Sequence, residues 1–226
     1  MYRLHTKLTT LLLLMAVCLL SACSQDSYEK GADLEPNETA DFVEAHSNAH
    51  KLIDYFLTDK GERINTTPTA YSWVHTPDTF YRAIIDYYQT GQAITVKSCK
   101  QVNIARIVPA DSVKSGVKTD PVKMESVWLS QSLRYLNASI YLKVGSTADN
   151  SIKHRLAVVS DGTHLHLNGK RTLMLRLYHD QGGMPEYYSE RIYFSVPLEN
   201  VEADSICLSI NTYTGTVSKT FALGSH

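Results

Sequence analysis

The sequence predicts an all-β protein built from more than one domain. Short runs of alternating apolar and polar residues recur along the chain, and Gly, Asn and Asp pairs separate many of them. Tyrosine is abundant, with 14 Tyr against 5 Phe. Alternation with a period of two places the apolar residues of a strand on one face, which can pack on a core. Tyr favours strands whose other face is partly exposed to solvent. With 226 residues, the chain has room for a leader followed by either one large or two small domains.

The start of the chain has the layout of an export signal. Arg3 and Lys7 precede the apolar run Leu11–Leu20, and small residues follow it. Such a run is too short to span a bilayer, which needs about 20 residues. The ending, Leu20 to Cys23 (LSAC), looks like a lipobox. We therefore predict a signal peptide at residues 1–22, acylation (palmitate) of Cys23 and a membrane anchor; the alternative is an ordinary signal peptide followed by a chance Cys.

Residues 23–50 are predicted to be the lipidated Cys and a flexible tether. Ser24 to Asn37 is polar and acidic, and it lacks the apolar area needed to order itself. Thr39 to Leu52 has a weak helical pattern, so it is predicted to be either a short helix or the end of the tether.

Residues 51–112 are predicted to form a small barrel. Five short strands fit this stretch, and polar or Gly-containing turns separate several of them. The predicted strands are 53–58, 69–75, 79–88, 93–97 and 102–108. Five strands in under 60 residues indicate a closed or half-closed barrel, and an OB-like barrel fits that count.

Residues 113–226 are predicted to form an antiparallel β-sandwich. A Ser-, Lys- and Gly-containing break at 110–120 separates them from the barrel, and longer alternating strands follow. Asp161-Gly162 and Asn168-Gly169 are hairpin cues. Six to eight such strands suit a sandwich in which each sheet has one buried and one solvated face.

Several stretches resemble a known family. They are Asp120–Ser130 (DPVKMESVWLS), Tyr135–Asn137 (YLN), Phe194–Leu198 (FSVPL) and Asn211–Tyr213 (NTY). Their order, together with the lipobox, resembles the NigD-like lipoproteins of bacterial envelopes. The resemblance implies an OB-like domain followed by a β-sandwich, in an envelope protein whose biochemical role is unsettled. It also implies a bacteriocin-associated, immunity-like alternative, and it supplies no catalytic residues.

The composition of the chain limits which classes of partner and cofactor are expected. The formal net charge is −1, so no basic excess exists to bind phosphate backbones, and nucleic acid is not expected. We expect no cofactor. Cys99 and Cys207 remain after processing, without metal-type spacing; they are predicted to be either bridged or two buried thiols.

Few residues of the sequence are candidates for metal binding or catalysis. His164 and His166 share one strand face and are weak metal candidates with His154 or His179; solvated surface histidines are the competing interpretation. His46 and His50 are four residues apart, so they would lie on the same face only if this segment were a helix. Loop carboxylates could serve an envelope glycan hydrolase; they are Asp161, Asp180, Glu186 and Glu190. Without a recognisable nucleophile motif, we expect no enzyme.

Aromatic side chains are the better candidates for binding. Tyr71, Trp73 and Tyr81 fall in the barrel, and Tyr187 and Tyr188 follow a sandwich loop. Such a patch suits an oligosaccharide or another envelope protein, whereas core packing is the alternative role of these residues. We therefore expect a non-enzymatic binding or assembly module at the outer membrane; the sequence does not indicate which side of that membrane it faces.

Overall fold

The computed structural model describes residues 38–90, 93–147 and 152–224, and it is all-β, as predicted. Cys23 and the signal peptide lie outside these residues. Five antiparallel strands form the first sheet, in the order β3-β2-β1-β4-β5. They are β1 (Glu38–Ser47), β2 (Ile53–Thr58), β3 (Arg63–Thr69), β4 (Thr79–Thr90) and β5 (Ala93–Gln101). The sheet curls until β3 approaches β5, which makes a half-barrel.

The remaining strands form a sandwich of two sheets. One sheet has the order β6-β12-β9-β8 and the other β14-β13-β11-β10-β7. The strands are β6 (Asn103–Ile104), β7 (Ile107–Pro109), β8 (Lys123–Leu129), β9 (Tyr135–Val144), β10 (Arg155–Leu165), β11 (Arg171–Asp180), β12 (Tyr188–Pro197), β13 (Ser205–Thr212) and β14 (Gly215–Ala222). A single 3-10 turn, Ala110–Ser112, follows β7.

Three details of the barrel prediction are wrong. Residues 38–47, assigned to the tether or a short helix, form the central strand β1. The predicted strand at 69–75 is a loop after β3. The predicted strand at 102–108 is two short strands, β6 and β7, and these pair in parallel with β12 and β10 of the sandwich. The residues between β5 and the turn at Ala110 therefore join the sandwich.

One hairpin cue is also wrong. Asn168-Gly169 closes the β10–β11 hairpin, but Asp161-Gly162 lies inside β10. The pairing register shifts between Ser160 and Gly162, and Gly162 has φ +100°. A glycine with positive φ serves a bulge as readily as a turn, so the strand bends here and continues to Leu165.

A buried junction joins the barrel to the sandwich. Phe42 on β1 meets Trp128 edge-on, with ring centroids 5.2 Å apart, and Tyr193 at 5.6 Å. Ile84 and Val102 complete this apolar cluster. β1 and β4 are therefore covered on both faces, because one face lines the barrel core and the other packs on the sandwich.

Arg82 is the polar centre of the junction. Its two terminal nitrogens donate to the carboxylate of Asp59, each at 2.7 Å, and its Nε donates to Ser195 Oγ at 3.1 Å. One terminal nitrogen also donates to Asn137 at 3.2 Å, and the guanidinium lies 4.2 Å from the ring centroid of Tyr135. Arg82 is 4% exposed. Asp59 belongs to the barrel, whereas the other three partners belong to the sandwich, so this network fixes how the two units dock.

Both cysteines of the described residues are free and buried. Burial raises the pKa of the Cys99 thiol to about 12, which leaves little thiolate at neutral pH.

Candidate binding surface

The predicted aromatic residues form two separate groups. Tyr71, Trp73 and Tyr81 gather beside the barrel core, with Tyr71 stacked on Trp73 at 5.2 Å and Trp73 edge-on to Tyr81 at 5.6 Å. All three are half-buried and pack on that core. The Tyr81 hydroxyl accepts hydrogen bonds from the amides of His75 and Thr76. This group therefore packs against the barrel core and fixes the loop after β3 through hydrogen bonds.

Tyr187 and Tyr188 lie on the sandwich, at the end where β9 finishes and β12 begins. Tyr187 is 77% exposed and Tyr188 is 57% exposed. The Tyr187 amide donates to the carbonyl of Val144 at 2.9 Å, so the last residue of β9 fixes the backbone beneath the pair. Gly145 follows at once, and a Cβ there would lie 2.8 Å from the Tyr187 ring. A glycine is therefore needed for the loop to pass this close.

Tyr213 adds a third exposed ring at the same end, and sequence reasoning missed it. A parallel bridge between Val122 and Thr212 brings the end of β13 beside the start of β8. Tyr213 follows this bridge and is 47% exposed. Burial, and then the nearby carboxylate of Glu186, raise the pKa of its hydroxyl. We call Tyr187, Tyr188 and Tyr213 the tyrosine end.

An open apolar depression of about 180 Å³ adjoins the tyrosine end. Val122, Met124 and Val217 line it together with Tyr213. It lies where β8 and β14, the edge strands of the two sheets, face the same side of the sandwich. Exposed aromatic rings beside an apolar depression are typical of protein surfaces that bury a side chain of a binding partner.

The barrel has a smaller exposed aromatic group. His46 stacks on Tyr55 at 4.4 Å, and Phe80 meets both rings edge-on. Arg63 covers the other face of Tyr55 at 3.6 Å. Because both faces of Tyr55 are already occupied, Phe80, at 46% exposed, is the main ring left for a partner.

The histidine candidates do not converge on a metal. His164 and His166 meet edge-on at 4.7 Å, and His166 Nε2 lies 2.7 Å from Thr172 Oγ1. His154 and His179 instead pair with each other near the start of β10. His46 lies on strand β1 and contacts Asp54 at 2.7 Å, so the helical spacing considered for it does not exist. Within the described residues, no group of three or more His, Cys, Asp or Glu side chains could hold a metal ion.

The loop carboxylates have partners of their own. Asp161 contacts Arg176 at 2.5 Å, and Asp180 contacts Lys118 at 3.0 Å. The hydrogen bond from Lys118 is the main cause that lowers the pKa of Asp180. A general acid for glycoside cleavage needs a raised pKa instead. Glu186 accepts a hydrogen bond from Gln181 at 2.8 Å.

This architecture, a half-barrel docked on a two-sheet sandwich with exposed rings at one end, defines the class of this chain as an all-β protein of two packed units. Residues 103–223 match the family model described as the NigD-like C-terminal beta sandwich domain. The chain therefore belongs to the NigD-like family. The match begins at β6, so the family domain includes the short strands that the sequence had placed in the barrel.

Solved structures share this fold. A NigD-like immunity protein from Bacteroides caccae is 25% identical, with a TM-score of 0.63 over 84% of this chain and 99% of that one. A protein of unknown function from Bacteroides vulgatus is 18% identical, with a TM-score of 0.61 over 83% and 92%. A protein described as a candidate lipoprotein from Bacteroides fragilis is 14% identical, with a TM-score of 0.56 over 82% and 97%. Comparison with curated proteins gives no match.

Proposed function

We propose that this protein is a non-enzymatic, lipid-anchored envelope protein that binds a partner protein through the tyrosine end. The observation that carries the proposal is the exposure of Tyr187, Tyr188 and Tyr213 at one end of the sandwich, where Tyr213 also lines an apolar depression. Tyr supplies a large, rigid contact area at low entropic cost and is enriched where interfaces gain most of their energy. Loops on a rigid sandwich are also a common place for binding residues.

A protein is a better partner than an oligosaccharide for this surface. Sugar rings stack on open aromatic faces, and the barrel group that offers such rings is half-buried against its core. The tyrosine end combines exposed rings with the apolar depression lined by Val122, Met124 and Val217. This depression suits an apolar side chain of a partner protein. The name of the Bacteroides caccae structure, an immunity protein, is compatible with neutralising another protein by binding it.

The anchor is the part of the proposal that comes from the sequence. The lipobox motif supports acylation of Cys23, and the outer membrane is the expected location. In the part of the chain that the structure describes, no helix has the length and hydrophobicity to cross a bilayer. The description of the Bacteroides fragilis structure as a candidate lipoprotein is in keeping with an envelope role. Incorporation of labelled palmitate into the full chain, and its loss in Cys23→Ser, would test the anchor.

The binding experiment uses photo-crosslinking in detergent-solubilised envelopes, followed by affinity measurement with the purified partner. We compare the full chain, the double variant Tyr187→Ser/Tyr188→Ser, and the control Leu167→Ser. Leu167 is fully exposed on the hairpin at the opposite end of the sandwich. We expect the double variant to bind at least about tenfold more weakly, because each Tyr is an anchor of the interface, and we expect the control to bind normally.

Equal binding by the chain and the double variant would refute the tyrosine end as the interface. Equal weakening by the control would show a general surface effect and would count against it as well. Turnover of an envelope glycan by the purified chain would overturn the non-enzymatic part of the proposal.

A further inference from the structure

Two histidines meet nitrogen to nitrogen beneath the tyrosine end. His154 Nδ1 lies 2.9 Å from His179 Nε2. The ring planes differ by 20° and the ring centroids are 5.1 Å apart, so the contact lies close to the plane of both rings and is a hydrogen bond rather than a face-to-face stack. His179 is 1% exposed, which leaves water little access to that ring.

Both outer nitrogens of the pair face backbone carbonyls. His179 Nδ1 lies 2.9 Å from the carbonyl oxygen of Asp120, and His154 Nε2 lies 3.0 Å from that of Lys143. A carbonyl only accepts hydrogen bonds, so each outer nitrogen must carry a proton. The inner contact needs a third proton, between the two rings. Two neutral imidazoles carry only two protons, so the three contacts form together only when the pair holds one extra proton.

We propose that His154 and His179 share one extra proton and act as a proton-dependent clamp between the two sheets of the sandwich. The clamp joins β9 of one sheet, through Lys143, to β11 of the other, and to the segment before β8 that carries Asp120. That segment is also bonded to β11 by its backbone, since the His179 amide donates to Lys118 and the Asp120 amide donates to His179. The control of the tyrosine end by the clamp rests on the proposed function, whereas the shared proton does not.

The surrounding charges suit a single positive charge. Asp120 and Glu190 both act on His154 as negative neighbours. Asp180, beside His179 in sequence, is neutralised by Lys118 and Arg155, and the carboxylate of Asp120 accepts the Gln181 amide at 2.7 Å. Lys143 contacts the pair through its backbone carbonyl, and Lys153 and Tyr178 adjoin His154 and His179 along the chain. Burial, and then the charge of the other imidazole, lower the pKa of His154, so a second extra proton is disfavoured.

Loss of the shared proton must break one of the three contacts. The outer contact, from His154 to Lys143, is the one that yields, because His154 is only partly buried and its freed nitrogen can turn to water. Lys143 precedes Val144, whose carbonyl holds the Tyr187 amide. Release of the clamp therefore loosens the end of β9 on which Tyr187 and Tyr188 are placed.

The pH dependence of the clamp follows from the number of protons it binds. Below the ordinary His pKa of about 6.5 the unfolded chain binds an extra proton on each of the two imidazoles, whereas the folded pair binds one. Acidification below that pH therefore destabilises the fold, in the direction given by the lowered pKa of His154.

Ring-nitrogen NMR of the ¹⁵N-labelled full chain in detergent micelles tests the shared proton without any partner. His179→Gln assigns the signals, His164→Gln on β10 is the matched control, and the exposed His50 is the internal reference. We expect three protonated nitrogens in the pair at pH 6.5, falling to two in a single coupled step at higher pH. Two neutral rings at pH 6.5, or two independent titrations that follow His50, would overturn the proposal.

Amide hydrogen exchange at Tyr187 tests the clamp. At pH 6.5, His154→Gln should lower the protection factor of this amide about tenfold, as expected for losing one well-placed hydrogen bond, and His164→Gln should leave it unchanged. Unchanged protection in both variants would refute the clamp even if the proton is shared. If His154→Gln fails to fold, the same comparison is made on the wild-type chain on either side of the coupled step. If the Tyr187→Ser/Tyr188→Ser variant bound the partner as tightly as the parent chain, the proposed interface would be refuted, and neither of these two readouts would change.

Discussion

Replacing Arg82 by Leu should weaken the fold more than any loss of a surface charge. The side chain of Arg82 is 1% exposed and bonds to groups of both units, while the side chain of its ionic partner, Asp59, is 18% exposed. In the variant, Asp59 keeps one contact from Asn137 Nδ2 at 3.3 Å, and Ser195 still donates to Asn137 at 2.7 Å. The variant therefore leaves a mostly buried carboxylate without its cation.

Breaking a buried ion pair from one side costs roughly 3–5 kcal/mol. Because Asp59 can partly rehydrate, the expected loss for Arg82→Leu lies at the lower end, about 3 kcal/mol. The matched control is Arg176→Leu, whose ion pair with Asp161 is open to solvent, with side-chain exposures of 38% and 39%. An exposed pair contributes about 0–1 kcal/mol, so the control should change little.

Urea unfolding followed by tryptophan fluorescence measures both effects. The chain has two Trp residues, with Trp73 beside the barrel core and Trp128 in the junction. Single-Trp versions made by Trp73→Phe and Trp128→Phe therefore report on different units. We expect coincident transitions in the parent protein and a lower midpoint at both probes in Arg82→Leu. A loss below about 1 kcal/mol, equal to that of the surface control, would refute the assignment of Arg82 as the polar centre of the junction.

Two further substitutions test local features of the two units. Gly182 has φ +64° and a Cβ there would lie 2.7 Å from the carbonyl oxygen of Lys153, so Gly182→Ala should cost about 2 kcal/mol in urea unfolding; Gly183→Ala, with φ +80° and open space, should lose only about 1 kcal/mol. Equal losses would contradict the contact with Lys153. Burial raises the pKa of Asp41, so this carboxyl penalises folding above its folded pKa and the penalty fades as the pH falls through it. Asp41→Asn keeps an acceptor for the Tyr87 hydroxyl, and it should raise the urea midpoint at pH 7 by more than at pH 4; the same gain at both values would contradict a buried, ionised Asp41.

Sequence alone located the strands in which apolar and polar residues alternate. This alternation places β9 and β11 to within a residue or two, although the polar residues Asn137 and Ser139 of β9 are buried rather than solvated. β1 was missed because its two faces meet different surroundings. Phe42 packs into the junction while Val43 packs into the barrel core, so apolar residues follow one another and imitate a weak helical pattern.

Pairing was harder to predict than strand position. Turn cues describe neighbours along the chain, whereas β11 pairs in parallel with β13, and β6 and β7 pair in parallel with β12 and β10. Short-range turn chemistry carries no information on such contacts. The same limit applies to the site. Tyr187 and Tyr188 were recognisable beside a loop, but Tyr213 lies at the same end of the sandwich only because Val122 pairs with Thr212 across the two sheets.

The junction also decides which surface is free for a partner. An OB-like barrel binds ligands on one face and its loops, but here the outer face of β1 and β4 is buried under Trp128 and Tyr193. A ligand on that face would first have to separate Phe42 and Arg82 from the sandwich. That step costs about 3 kcal/mol for the ion network and a further 1.5–3 kcal/mol, roughly, for exposing one Phe. Binding at the tyrosine end requires no such separation, since its three rings are already exposed. The docking of the two units therefore favours the sandwich over the barrel as the binding site for the proposed partner.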